Sequence, residues 1–183
     1  MEIVIGISGA SGAQYGIRLL EVISEMGITT HLVITNAAEK IIGIETDHDI
    51  ENIKKLADSV YSERDFTAPI ASGSHKYDAL VVAPCSMKTA AAIANGFSDN
   101  LIERTADVCL KEGRKVILMV RETPYNQIHL ENLLRLKKAG ADIMPASPAF
   151  YNRPETIDDL INFMVGRVLD LLGIEHDIYK RWE

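Results

Sequence analysis

The sequence predicts an α/β protein, a three-layer α/β/α sandwich with a Rossmann-like, doubly wound and mostly parallel sheet. Three observations carry that expectation. Short β-branched runs alternate with helix-length amphipathic stretches along the chain. Two of these runs, DALVVAP (78–84) and RKVILMV (114–120), are apolar on both faces, as strands covered by helices above and below must be. Glycines stand where helical patterns stop, at Gly27 and Gly140.

Taken in order, EIVIGIS (2–8) is a first strand, residues 9–12 a glycine-rich turn, and Ile17, Leu19, Leu20, Val22 and Ile23 the apolar stripe of a helix that Gly27 closes. THLVIT (30–35) is the second strand and completes a right-handed βαβ unit. An amphipathic helix is expected over 49–60 and a long loop over 61–76, which holds Pro69, Ser72, Gly73 and Ser74. Between the two buried strands lie two helical patterns, the second beginning near Ser98. A helix over 126–139, a short strand in ADIMPA and a last helix from Pro154 and Glu155 to about Leu172 complete the chain.

With 183 residues, 47% of them apolar and 25% charged, one domain spanning 1–183 with one well-buried core is expected. A net charge of −7 argues against general affinity for nucleic acid or for an anionic membrane. Two cysteines, Cys85 and Cys109, are too few for a disulfide framework, and the apolar start is broken at once by Gly and Ser, so a cytoplasmic protein with no membrane span is expected.

Ligands of such sheets lie at the carboxyl ends of the strands. That singles out residues 8–12, 35–38, 84–89 and 121–126. GISGASG lets the backbone approach a ligand ahead of a helix N-terminus, yet it is neither GxGxxG nor a Walker loop, and it serves equally as a tight turn. Thr35 and Asn36 stand where a nicotinamide site has an acidic residue, so one phosphate, as on FMN, fits better. In APCSMKT, Ser86, Thr89 and the amides of Met87 and Lys88 form either a phosphate site or a plain N-cap with a solvated lysine. Cys85 has no histidine at a partner spacing and reads as structural. Arg121 and Glu122 emerge where a ligand would lie, or form a surface ion pair. Arg104 and Lys111, seven apart, share a helix face. Tyr151 and Arg153 occupy a proline-bounded loop. Arg167 interrupts an apolar helix and calls for a partner anion. Trp182 suits an oligomer contact. The histidines, 31, 48, 75, 129 and 176, show no metal-ligand spacing.

Taken together, GISGASG, APCSMKT followed by IANGFSDNL, RETP, PAFYNRP and GRVLDLLGIEHDIYKRW resemble the UbiX family of flavin prenyltransferases almost from end to end. The resemblance implies FMN held by Gly9, Ala10, Ser11, Thr35, Ser86, Met87, Lys88, Thr89 and Arg121. It implies Lys111, Glu122, Tyr151 and Arg167 around the prenyl phosphate or the reacting atoms, with Arg104 and Arg121 as further phosphate contacts and Ser11 and Glu122 managing protons. It further implies attack by N5 of reduced FMN on C1 of dimethylallyl phosphate and closure of a ring at C6. A homododecamer with sites shared between subunits, and a UbiD-type decarboxylase as recipient of prenylated FMN, follow from the same resemblance. No DDxxD is present, and Asp158 and Asp159 are the only adjacent aspartates, so no metal is expected in the reaction. Two other readings stay open: an FMN-dependent peptidyl- or pantothenoyl-cysteine decarboxylase, whose PASANT-like and late methionine-asparagine segments are absent here, and a non-catalytic flavin carrier.

Overall fold

A computed structural model of the chain describes residues 1–182. In chain order it forms β1 (Glu2–Ile7), α1 (Ala13–Glu25), β2 (Thr29–Ile34), α2 (Asn36–Glu45), α3 (Ile50–Lys54), β3 (Ser59–Ser62), β4 (Ala79–Cys85), α4 (Met87–Ala94), α5 (Leu101–Lys111), β5 (Lys115–Val120), α6 (Gln127–Lys138), β6 (Asp142–Pro145) and α7 (Ile157–Leu172). The six strands form one sheet in the order β3-β2-β1-β4-β5-β6, and every pairing is parallel.

Strand alternation divides the core in two. Ile3, Ile5, Ile7, Leu32, Ile34, Val81, Ala83, Ile117 and Met119 face α1 and α7, with Ala38, Ile42 and Ile53 of α2 and α3 on the same side. Val4, Val33, Leu80, Val82, Val116, Leu118 and Val120 face α4, α5 and Leu136 of α6. Both faces are therefore dry, which is why the central strands lack the polar alternation of a one-sided sheet. Close packing is sharpest at Gly16 of α1, where an added Cβ would lie 2.1 Å from the Ala83 carbonyl oxygen.

The region before β4 departs from the sequence expectation. The helix expected over 49–60 lasts only from Ile50 to Lys54, and the chain then forms β3 against β2. Asp58 directs that turn by accepting from the Thr30 amide at 2.8 Å, a tertiary contact that outweighs local helical pattern. The expected loop over 61–76 holds the end of β3 and a 3-10 turn at Pro69–Ala71. Helix α2 was not anticipated; Thr35 caps it by accepting from the Ala38 amide at 3.1 Å. Helix α7 starts at Ile157 because Thr156 and Asp159 form a capping box. None of the described helices is long and apolar enough to cross a membrane.

Candidate functional site

The strand order reverses between β1, which leads on to β2, and β4, which leads on to β5. A crevice opens at the carboxyl ends of strands at such a switch point. Here its rim is stitched together beyond the strand ends. Ser8, 1% exposed, donates through its hydroxyl to the Pro84 carbonyl at 2.9 Å and accepts from the Ser86 amide at 2.8 Å, locking the loop after β1 to the loop after β4. The Thr35 amide donates to Ile7 O at 3.1 Å, and the Arg121 amide to Cys85 O at 3.2 Å. Gly9 presses on the start of α2, where an added Cβ would come 2.5 Å from the Ala37 Cβ.

The first turns of α1, α2 and α4 consequently face one rim, each with amides that lack intrahelical partners. At α4, Ser86 accepts from the Thr89 amide at 3.2 Å and donates to the Thr89 hydroxyl at 3.1 Å, so it is a cap, and the Met87 and Lys88 amides remain in the first turn. The Lys88 ammonium is drawn to the buried Glu103 carboxylate at 2.5 Å, so Lys88 offers the rim its backbone.

Helix α1 is different, because a carboxylate already occupies its N-terminus. Glu45, the last residue of α2, accepts from the Gly12 amide at 2.8 Å and the Ala13 amide at 3.3 Å. Burial pushes the Glu45 carboxyl up, but hydrogen bonds from the Ser11 hydroxyl and those two amides, together with the positive charge of Arg121, outweigh it and hold the group below the usual carboxylate range. Arg121 also acts on Tyr15, whose phenol burial raises and the arginine lowers, with a net rise. Ser11, Glu45, Tyr15 and Arg121 are thus one electrostatic unit. Sequence reasoning missed Glu45, since it ends a helix that was itself missed; the only signal was an acidic residue at the end of the KIIGIE pattern.

Glu122 is exposed and turns its carboxylate to the Thr123 amide at 3.0 Å, and among the described residues it forms no ion pair with Arg121. Gly9, Ala10, Ser11, Thr35, Ser86, Met87, Lys88, Thr89, Arg121 and Glu122 therefore gather at one end of the sheet.

The other expected residues lie elsewhere in the chain. Lys111 closes α5 just before β5 begins, at the opposite end of the strands from Arg121, a strand length of about 20 Å. It pairs with Glu112, while Arg104, two turns earlier, binds Asp107 at 2.7 Å and the Ala71 carbonyl at 3.1 Å. Tyr151 is half exposed and meets Phe163 and Trp182 edge-on at 6.1 and 5.0 Å. Arg167 is not enclosed by the apolar helix as its neighbours suggested: it projects outward, and its partner anion is Asp170 at 2.8 Å. Asp170 also accepts from Arg181 at 2.8 Å and Tyr179 at 2.8 Å and meets His176 at 3.1 Å, which folds the residues after α7 back upon it. Arg153 sits beside this tail with a left-handed φ of 53°.

Cys85 is fully buried, and burial with the nearby Glu103 charge pushes its thiol up to about 12, so it is no nucleophile at neutral pH. The histidine expectation needs correction: His31 and His75 converge on Glu2, a grouping that strand pairing creates and spacing hides.

The Flavoprotein family model matches residues 1–169. Over the full chain and 98% of its partner, the sequence is 56% identical to the flavin prenyltransferase UbiX of Methanocaldococcus jannaschii. AnUbiX (PadA1), solved in complex with FMN and dimethylallyl pyrophosphate, superposes with a TM-score of 0.98 at 47% identity, covering all of this chain and 97% of that one. A dodecameric FMN-dependent UbiX-like decarboxylase from Escherichia coli O157:H7 superposes equally well, with a TM-score of 0.98 at 46% identity over the whole of both chains.

Proposed function

The chain belongs to the flavoprotein family and, within it, to the UbiX flavin prenyltransferases; it is a transferase that makes prenylated FMN, and we propose that it does so by joining the dimethylallyl group of dimethylallyl phosphate to N5 and C6 of reduced FMN. The observation that carries the mechanistic reading is the Ser11–Glu45 pair set at the N-terminus of α1 beneath the charge of Arg121.

The residues fit a bound FMN. Glu45 already holds the amides of Gly12 and Ala13, so an incoming phosphate monoester is left the first turns of α2 and α4, where the Met87 and Lys88 amides and the Thr35, Ser86 and Thr89 hydroxyls offer neutral donors. Gly9 and Ala10 let the ligand approach the backbone closely. When bound and reduced, FMN would supply the nucleophilic N5 and the carbon C6: the C1–oxygen bond of the prenyl phosphate breaks with its electron pair leaving on phosphate as N5 bonds C1, and the prenyl double bond takes up a proton at C2 as its tertiary carbon bonds C6, which loses its own proton. Glu45 is ionised at neutral pH and hydrogen-bonded to Ser11, so the pair accepts and relays the proton displaced at the reacting ring. Arg121 stabilises the departing phosphate at the same rim. Glu122, next in sequence and exposed at the surface, serves the second proton transfer.

Lys111, Arg104, Tyr151 and Arg167 complete the phosphate site across interfaces between copies of the chain, in a dodecamer like that of the Escherichia coli relative. Their exposure and their wide separation within one chain support that arrangement. The product is proposed to serve a UbiD-type decarboxylase, and the reaction to take place in the cytoplasm.

Anaerobic incubation of the protein with reduced FMN and dimethylallyl phosphate, followed by mass spectrometry of the released flavin, tests the reading. A gain of one five-carbon prenyl unit is expected, and chelation by EDTA should leave the yield intact. Bound but unmodified FMN would turn the assignment to a flavin carrier or a cysteine decarboxylase.

A further inference from the structure

The amino-terminal end of the sheet carries a second cluster that the prenyl transfer does not use. Glu2 opens β1, His31 is the third residue of β2, and His75 lies in the segment leading to β4. Both imidazoles aim Nε2 at one carboxylate oxygen: Glu2 Oε1 lies 2.6 Å from His31 Nε2 and 3.1 Å from His75 Nε2. One ligand atom from each residue falls within 4.8 Å of the others. The two rings meet edge-to-face at 5.6 Å, so their nitrogens approach a common point from different directions.

The surroundings favour a cation there. Nδ1 of His31 lies 3.2 Å from the Tyr61 hydroxyl, an outer partner of the kind that fixes the tautomer and leaves Nε2 free to ligate. Tyr61 also stacks on the ring at 5.8 Å, which holds its orientation. The His31 side chain is only 7% exposed, whereas Glu2 and His75 are 31% and 35% exposed, so the site has a rigid floor and a path from solvent. Two imidazoles and a carboxylate with coordination positions left for water suit a borderline first-row ion; hard oxygen-seeking ions such as Mg²⁺ and Ca²⁺ are poorly matched.

We infer that Glu2, His31 and His75 form a binding site for a divalent transition ion of the zinc class, remote from the flavin crevice. Water completes the coordination. The ion adds a side-chain link from the start of β1 to β2 and to the segment between β3 and β4, beside the backbone ladder that already joins β1 to β2. Its role is structural and takes no part in prenyl transfer.

The test uses the full chain without any tag, because added histidines beside Glu2 would supply ligands of their own. Protein stripped with chelator is titrated with Co²⁺ and followed by visible absorption. The expected result is one equivalent per chain with a d–d band that Zn²⁺ abolishes, and a higher thermal midpoint in the presence of Zn²⁺. His75→Ala and Glu2→Gln should each lose the band, and Tyr61→Phe should weaken binding about tenfold. All three positions are partly exposed, and retained FMN binding checks that each variant is folded. No band in the parent chain, or a band and stoichiometry unchanged in His75→Ala and Glu2→Gln, overturns the inference and leaves the cluster a hydrogen-bonded triad.

Discussion

The rim at the strand ends and the residues proposed to bind the prenyl phosphate are built on opposite plans. At the rim the contacts are preformed within one chain: Ser8 bridges two loops through its hydroxyl, Thr35 and Ser86 cap α2 and α4, and Glu45 is already seated on Gly12 and Ala13. Arg104, Lys111, Tyr151 and Arg167 instead stand at the surface on separate elements, and each cation is held by a neighbouring acid. A flavin held until its ring is fully built can be met by a preorganised rim. On the proposed reading, a phosphate that arrives and departs would be met by side chains that exchange one anion for another, which costs less binding energy at release. On the proposed reading, flavin binding would belong to the folded chain and prenyl phosphate binding to the assembly.

The largest effect is expected from breaking the rim's chemistry without its architecture. Glu45→Gln keeps an acceptor near Gly12 and Ala13 but removes the charge that accepts a proton, so prenylation should fall by about 100-fold or more while FMN still binds. Single-turnover prenylation and flavin titration, measured on the same sample, separate the two. A normal rate would remove Glu45 from the mechanism. Next in size is Gly16→Ala, which breaks the architecture: its Cβ would meet the Ala83 carbonyl at 2.1 Å and Ile7 Cγ1 at 2.9 Å, and backbone cannot yield as a side chain does. A loss of about 2 kcal/mol in urea unfolding is expected, with weakened FMN binding because α1 is displaced from the strand end.

The sequence made the rim legible and left the rest obscure for physical reasons. Doubly buried strands and glycine stops are local signals, so β1, β2, β4, β5 and α6 lie within a residue or so of their expected places. The residues of GISGASG and APCSMKT meet because parallel neighbours bring their loops together, a consequence of topology that the fold class already contains. Strand β3 was hidden because it is four residues long and exists by pairing with β2 through Asp58 and Thr30. Glu45 and the Glu2–His31–His75 cluster depend on where elements end in space, and no spacing along the chain encodes that. Arg167 was placed in an apolar stripe by its neighbours Val165 and Val168, yet one step around the helix carries it outward to Asp170.

Two smaller effects test the second region. Arg167→Ala should raise the prenyl phosphate KM about tenfold and leave the FMN affinity unchanged, since on the proposed reading the lost cation contacts the prenyl phosphate and not the flavin. Equal loss of both would make Arg167 a packing residue. The smallest effect concerns its present partner. Burial alone would raise the Asp170 carboxyl, but hydrogen bonds from Arg181, Tyr179 and His176 hold it at about 2. The folded value lies below the ordinary aspartate value of about 3.9, so its stabilisation of the tail is complete above about pH 4 and is lost as the pH falls toward 2. Trp182 is the single tryptophan and stacks edge-on against Tyr151, so its fluorescence anisotropy reports the tail. Anisotropy should fall over that acid window in the parent chain. In Asp170→Asn it should already be low at pH 7, with prenyl phosphate affinity slightly improved because Arg167 no longer has an internal anion to leave. Weaker affinity in that variant would mean that Asp170 orients Arg167 for the phosphate instead of competing with it, and the surface residues would then be as preorganised as the rim.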